Sequence, residues 1–131
     1  MTDILDAHGV FEFTVDRDMT HLKLDGSFNA EGVRAMHEYI VACLKALPTI
    51  PNLALVDVTG WTLSTPDSAP ATRALHRKMS ESGLAYVAYI TDNVEIRRVI
   101  LEELWDQHPN VCRGYFKSRA QAKKWLAKQK N

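Results

Sequence analysis

The sequence has little of what marks an exported, membrane-spanning or disulfide-linked protein. It has two cysteines, Cys43 and Cys112, that stand far apart and outside any C-x-x-C spacing, and both are predicted to be small buried hydrophobic residues. The longest uncharged stretch, 46–56, contains two prolines and is shorter than the ~18 apolar residues that cross a bilayer. Asp3 and Asp6 stand where a secretory signal begins with basic residues, so we expect a cytoplasmic protein.

An excess of charge of either sign is also absent. Sixteen Lys and Arg balance sixteen Asp and Glu, which gives a formal net charge of zero. Nucleic-acid binders and polybasic membrane binders depend on such an excess, so neither partner is predicted. With 131 residues, 46% of them hydrophobic and 24% charged, the chain is expected to form one globular domain over residues 1–131.

Motifs of catalysis and of metal binding are missing as well. The sequence has no G-x-S-x-G elbow, no G-x-x-x-x-G-K loop and no G-x-G-x-x-G after a strand. No two histidines share an i, i+4 spacing on one helix, and we predict no metal and no cofactor. An enzyme that acts through Asp57 or Asp92 is therefore a weaker functional hypothesis than the two described below. The five histidines are His8, His21, His37, His76 and His108.

Hydrophobic periodicity indicates five strands. Residues 10–15 and 21–25 alternate between apolar and polar side chains, which predicts two half-buried strands joined as a hairpin. Continuous apolar runs are typical of strands covered on both faces. Two such strands are predicted at 53–56 and 84–90, and a final short strand is predicted at 111–116.

Capping residues divide the rest of the chain into four helices. Asn29 is suited to cap a first helix that Pro48 ends, and Thr65 to cap a second that Gly83 ends. Capping boxes at 92–95 and 118–121 predict the third and fourth helices. The order β-β-α-β-α-β-α-β-α requires crossover connections and therefore a mixed, mainly parallel five-stranded sheet in an α/β fold.

The third predicted helix is apolar around more than half of its circumference, although a helix packed on one sheet needs only a ~100° stripe. The excess predicts a homodimer that uses part of this helix or the neighbouring helical surface. Its apolar positions include Ile96, Val99, Ile100, Leu101, Leu104 and Trp105.

Several segments, in this order, resemble the STAS or SpoIIAA-like superfamily, and in particular its small stand-alone bacterial members. These segments are the strand 53–57 with Gly60 and Trp61, the strand 87–90 running into 91–93, and the end 115–126. The resemblance implies the fold of anti-sigma-factor antagonists and a non-enzymatic regulatory module that acts by protein contact near the start of the second helix. Antagonists carry a phosphoacceptor there within Asp-Ser-Ser/Thr-Gly, whereas this sequence has Ser-Thr-Pro-Asp-Ser at 64–68.

Polar residues follow the predicted parallel strands, at the edge of the sheet where α/β proteins bind ligands. A phosphate near the start of the second helix would be favoured by the helix dipole, which makes Ser64, Thr65 and Ser68 candidate phosphoacceptors. Trp61 is predicted to lie in a loop, where it either folds over the core or lines a pocket or partner surface. The candidate binding residues, here called the rim, are Asp57, Thr59, Trp61, Thr91, Asp92 and Asn93.

A second functional hypothesis is the carriage or sensing of a small apolar, lipid-like ligand. SpoIIAA-like sheets resemble those of SEC14-like lipid-transfer domains, which implies a pocket between the helices and the sheet. Such a pocket needs aliphatic and aromatic walls with few polar groups. A cavity lined by the second and third helices would favour carriage, whereas a filled core with an exposed 64–68 loop would favour signalling.

Overall fold

Five strands and four helices follow one another in the predicted order. The structure is a computed structural model that describes residues 8–16, 18–105 and 110–129. A short 3-10 turn, Pro66–Ser68, lies between β3 and α2. The elements are β1 (Val10–Val15), β2 (Met19–Phe28), α1 (Ala30–Lys45), β3 (Leu53–Ser64), α2 (Ala69–Glu81), β4 (Tyr86–Ile90), α3 (Val94–Leu104), β5 (Cys112–Phe116) and α4 (Arg119–Lys128).

The strands form one sheet in the order β1-β2-β3-β4-β5, with β1 antiparallel to β2 and every other pair parallel. The helices α1, α2 and α3 cover one face, and α4 covers part of the other beside β4 and β5. This arrangement confirms the predicted mixed, mainly parallel sheet with four helices.

Strand β3 is buried on both faces. Its residues Ala54, Val56 and Val58 face the three helices, whereas Leu53 and Leu55 face α4. Since both faces are covered, the strand has no need for alternating polar residues. This explains the continuous apolar run that the sequence shows there.

Strand β3 is longer than the sequence predicts and ends at Ser64 rather than near Asp57. Strand β2 also extends, to Phe28, and lies beside β3 along this added length. Gly60, which is typical of a turn, is part of this strand. A Cβ at this position would lie 2.0 Å from the Asp25 carboxylate, which favours glycine here. The prediction that Trp61 lies in a loop is therefore wrong.

Three helices begin at a side chain that accepts a hydrogen bond from a backbone amide. Asn29 accepts from Gly32 at 2.8 Å and Ser118 from Gln121 at 3.1 Å, as predicted. The third cap is Asn93, which accepts from the Ile96 amide at 3.3 Å, and the prediction of Asp92 is wrong. The helix begins one residue later than predicted because the pairing with β5 continues to Thr91, whose amide donates to the Phe116 carbonyl.

The end of α2 follows the prediction. Gly83 has a φ of +110°, a left-handed conformation that glycine adopts without strain. The Leu84 amide then donates back to the Met79 carbonyl, which closes the helix.

The two cysteines differ from their prediction. Cys112 is exposed at the start of the edge strand β5, and Cys43 is half-buried on α1. Both thiols are free.

A charged cluster fastens α3 to β5. The Arg113 guanidinium donates to both carboxylate oxygens of Glu102, at 2.8 and 2.7 Å, and the Tyr115 hydroxyl donates to the same carboxylate at 2.5 Å. The hydrogen bond from Arg113 is the main reason that the pKa of Glu102 is lowered. The cluster therefore stabilises the fold while Glu102 is ionised.

We expect Glu102→Gln to lower the free energy of unfolding by about 1 kcal/mol at neutral pH, because a charged hydrogen bond at a partly exposed site is lost. A carboxyl group with a lowered folded pKa stabilises above its ordinary value of 4.5, and this contribution disappears as the pH falls through the folded pKa. The difference between variant and wild type should thus shrink in acid. Urea unfolding at pH 7 and pH 3 measures it.

The control is Glu103→Gln, which changes an exposed carboxylate one residue further along the same helix. It should lower the unfolding free energy by less than Glu102→Gln at both pH values. An equal effect of Glu102→Gln at pH 3 and pH 7 would contradict the proposed role of the ionised cluster.

Candidate functional site

A cavity of about 540 Å³ lies between the sheet and the layer formed by α1, α2 and α3. Its wall is built from one face of β2, β3 and β4 and from the inward faces of the three helices. Such an apolar wall with few polar groups is typical of small-molecule sites. Apolar wall residues include Leu22, Leu24, Met36, Ile40, Val56, Leu75, Val87 and Leu101.

The cavity reaches the surface beside α2. Among its lining residues, Thr65 and Pro66 are exposed before the start of α2, and Glu103 is exposed near the end of α3.

Helix α2 leaves this space open because its inward face is poor in large apolar side chains. The residues of α2 that line the cavity are Ala69, Thr72, Arg73, Leu75, His76 and Met79, of which Leu75 and Met79 are large and apolar. Ala69 and Thr72 fill less volume above a sheet than leucine or phenylalanine would. These small residues are visible in the sequence and are the signal from which the cavity could have been predicted.

The polar side chains of α2 are held by backbone carbonyl groups. Thr72 donates to the Ser68 carbonyl at 3.1 Å, and Arg73 donates to the Glu103 carbonyl at 3.4 Å. The His76 Nδ1 lies 3.0 Å from the Leu104 carbonyl, which can only accept, so this nitrogen carries the proton. Arg73 and His76 therefore attach α2 to the last turn of α3.

A buried aromatic group forms the deep wall beside His76. The His76 ring stacks on Trp105 with 3.7 Å between the ring centroids, and the Trp105 Nε1 donates to the Tyr89 hydroxyl at 2.7 Å. Tyr89 and Trp105 both line the cavity and are 3% and 2% exposed. Burial raises the pKa of Tyr89, so its hydroxyl keeps its proton at physiological pH.

The rim residues of β3 lie on different sides of the sheet. Trp61 is buried and lines the cavity, where its Nε1 donates to Ser64 Oγ at 3.0 Å. Asp57 accepts from the Thr59 amide at 2.9 Å and from its hydroxyl at 2.6 Å, and it pairs with Arg119 of α4 at 3.5 Å. Trp61 therefore belongs to the cavity, and Asp57 with Thr59 to the α4 side.

The rim residues after β4 serve the start of α3. Thr91 is fully buried, and its hydroxyl accepts from the Asn93 amide at 3.3 Å. Asn93 caps the helix, and Asp92 is exposed beside it. None of these three lines the cavity among the residues that the structure describes.

The predicted phosphoacceptors differ in accessibility. Thr65 is exposed, and its hydroxyl donates to the Asp67 carboxylate instead of capping a helix, because a 3-10 turn precedes α2. Ser64 is half-buried, and its hydroxyl accepts from Trp61. Ser68 is 2% exposed, and its hydroxyl donates to the Thr65 carbonyl at 2.6 Å.

Within the described residues, no three His, Cys, Asp or Glu side chains come together in a way that could hold a metal ion. His108 lies outside these residues. None of the helices in the described part of the chain is long and apolar enough to cross a membrane.

Solved structures share this fold at low sequence identity. The chain is similar to an uncharacterized protein of the DUF3478 family with a SpoIIAA-like fold from Shewanella loihica, at 19% identity and a TM-score of 0.72 over 91% of this chain and 95% of that one. It is also similar to the unphosphorylated anti-sigma factor antagonist SpoIIAA, at 8% identity and a TM-score of 0.59 over 93% of this chain and 100% of that one.

A third similar structure is an anti-sigma factor antagonist from Mycobacterium paratuberculosis, at 11% identity and a TM-score of 0.57 over 94% of this chain and 96% of that one. No family model and no curated protein matches the chain. The chain therefore has the STAS or SpoIIAA-like fold, which confirms the resemblance predicted from the sequence.

For the predicted phosphoacceptors, we expect any phosphate to be found on Thr65, since Ser68 is buried and Ser64 is half-buried. Mass-spectrometric mapping of the protein from its native cells, in several growth conditions, locates the modification. A phosphate on Ser68 would contradict the burial seen here. A loop that is unmodified in every condition would contradict the prediction of a phosphoacceptor.

Proposed function

We propose that the protein binds a small, mainly apolar molecule in the cavity beneath α1, α2 and α3 and acts as a regulatory, ligand-sensing module. The observation that carries this proposal is the 540 Å³ cavity with aliphatic and aromatic walls. Its volume lies within the range of ~300–1,000 Å³ found for small-molecule pockets. A cavity lined by the second and third helices is the feature expected to favour carriage of a ligand over signalling with a filled core.

The energetics of packing support an occupant. Protein interiors are close-packed, with few voids larger than a water molecule. Apolar walls that face an unfilled space lose the dispersion contacts that a packed core makes. Water is a poor filler because apolar walls offer it few hydrogen bonds. An apolar ligand that buries its own surface against these walls fits the site better.

The position of α2 supports a sensing role. This helix forms one wall of the cavity, and the exposed segment around Thr65 and Asp67 leads directly into it. A ligand that packs against Leu75 favours one position of α2 over others, and so changes the surface at its start. Two structures of the same fold are named anti-sigma factor antagonists, which supports a regulatory class.

We expect Ala54→Phe to weaken binding of tetralin at least tenfold, because Ala54 lines the cavity and a phenyl ring would occupy the ligand volume. The cost of overpacking is about 1–3 kcal/mol, so the variant should remain folded. NMR titration of labelled protein measures the affinity, and thermal unfolding checks the fold.

The matched control is Ala42→Phe, on the exposed side of α1, which should leave the affinity unchanged. Wild-type protein that fails to bind tetralin, or an Ala54→Phe variant that binds it equally well, would contradict the site. A native mass spectrum of protein from its own cells that retains a small molecule would identify the natural ligand.

A second proposal concerns a contact of the protein with another copy of itself through α3. Ile96 and Val99 lie three residues apart on this helix and are 58% and 68% exposed, whereas Leu101 and Trp105 pack into the core. Neighbouring apolar side chains on one helical face are more costly to leave in water than single ones. This supports the homodimer that the sequence predicts.

We expect light scattering to show wild-type protein shifting from monomer to dimer as its concentration rises. The double variant Ile96→Glu with Val99→Glu should remain monomeric, because charges would be buried in the contact. The control Val10→Glu changes an apolar residue that is 63% exposed on β1 and should still dimerise. A wild-type protein that stays monomeric at high concentration would exclude this contact.

A further inference from the structure

We propose that the hydroxyl of Tyr89 donates a hydrogen bond to a carbonyl oxygen of the bound molecule, so that the ligand is a neutral apolar carbonyl compound. This inference rests on the proposed function and specifies its ligand. The observation behind it is that Tyr89, a residue of the mainly apolar cavity wall, has a buried hydroxyl group that already accepts a hydrogen bond from Trp105.

The hydroxyl of Tyr89 has a proton that is available to donate a hydrogen bond. A tyrosine hydroxyl accepts hydrogen bonds through oxygen and donates one through its proton. The Trp105 Nε1–H occupies one acceptor position at 2.7 Å, and Trp105 has no acceptor to return. Among the residues that the structure describes, none accepts the Tyr89 proton.

Burial makes this spare donor significant. Tyr89 is 3% exposed, so bulk water does not satisfy its proton. A buried donor without an acceptor is unfavourable, and a ligand that supplies one removes that penalty. The bond from Trp105 also polarises the Tyr89 O–H group and fixes the oxygen, which makes it a stronger and better placed donor.

The surroundings favour a neutral carbonyl oxygen over a carboxylate. Arg113, near Tyr89, is already engaged in two hydrogen bonds with the Glu102 carboxylate. Arg73, in the cavity wall, donates to the Glu103 carbonyl at 3.4 Å. A carboxylate buried among aliphatic side chains needs a charged partner, whereas a ketone or ester oxygen needs a single donor. Tyr89 supplies that donor, and the walls around Val87 and Leu101 accommodate the apolar remainder.

The test compares 1-tetralone with tetralin, which share one bicyclic skeleton and differ by the carbonyl group. We expect Tyr89→Phe to weaken binding of 1-tetralone about five- to tenfold, the loss of one hydrogen bond, and to change tetralin binding by less than about twofold. The matched control is Tyr115→Phe. Its ring stacks on Tyr89, its hydroxyl bonds to Glu102, and it does not line the cavity. This variant should bind both probes as the wild type does.

Each outcome decides between the two proposals. If the wild type binds tetralin and Tyr89→Phe weakens binding of 1-tetralone only, the result supports the role of Tyr89. If the wild type binds tetralin and Tyr89→Phe weakens the binding of both probes equally, the result overturns that role but still supports the apolar site. Failure of the wild type to bind either probe overturns both. Tighter binding of tetralin-1-carboxylate than of 1-tetralone would overturn the preference for a neutral ligand.

A measurement on the wild type avoids dependence on the folding of Tyr89→Phe. The infrared carbonyl stretch of bound 1-tetralone should fall below its value in hexane, because a donated hydrogen bond weakens the C=O bond. A frequency equal to that in hexane would overturn the proposed contact.

Discussion

The whole structure depends on the burial of β3 on both faces. Alternate residues of this strand face α4 on one side and the layer of α1, α2 and α3 on the other. The α4 side is closed by Leu53, Leu55 and their neighbours, packed against Ala122 and Leu126. The other side is covered by α1, α2 and α3, and the small residues Ala69 and Thr72 of α2 leave space above β3 unfilled. The cavity is the consequence.

The polar groups around the cavity fall into two classes. Arg73 and His76 attach α2 to carbonyl groups at the end of α3, and so keep the wall in place. Tyr89 instead presents a hydroxyl whose proton no described residue accepts. The first class explains how an open cavity coexists with an ordered helix layer. The second gives the cavity a chemical preference.

The fold could be predicted from the sequence because its signals are local. Each signal predicts one element: an apolar run predicts a strand, Asn29 and Ser118 predict the start of a helix, and Gly83 predicts the end of one. The order of these elements then predicts a mainly parallel sheet. The end of β3 could not be predicted in this way. It depends on pairing with the added length of β2, which is a contact between distant parts of the chain.

The candidate site was less predictable than the fold. Trp61 lines the cavity, whereas Asp57 pairs with Arg119 of α4 and Asn93 caps α3. Ligand binding by these three residues stays a prediction. Tyr89 lies within an ordinary apolar strand pattern, so nothing in the sequence reveals that its hydroxyl meets Trp105. Such a meeting is set by tertiary packing alone.

The central claim is that an accessible apolar cavity lies between β3 and α2. Diffraction from a crystal held under xenon gas tests it most directly, because xenon enters apolar cavities and is located by its anomalous scattering. We predict xenon peaks between Ile40, Val56 and Leu75. A close-packed interior at this position, with side chains filling the space and no xenon bound, would contradict the claim.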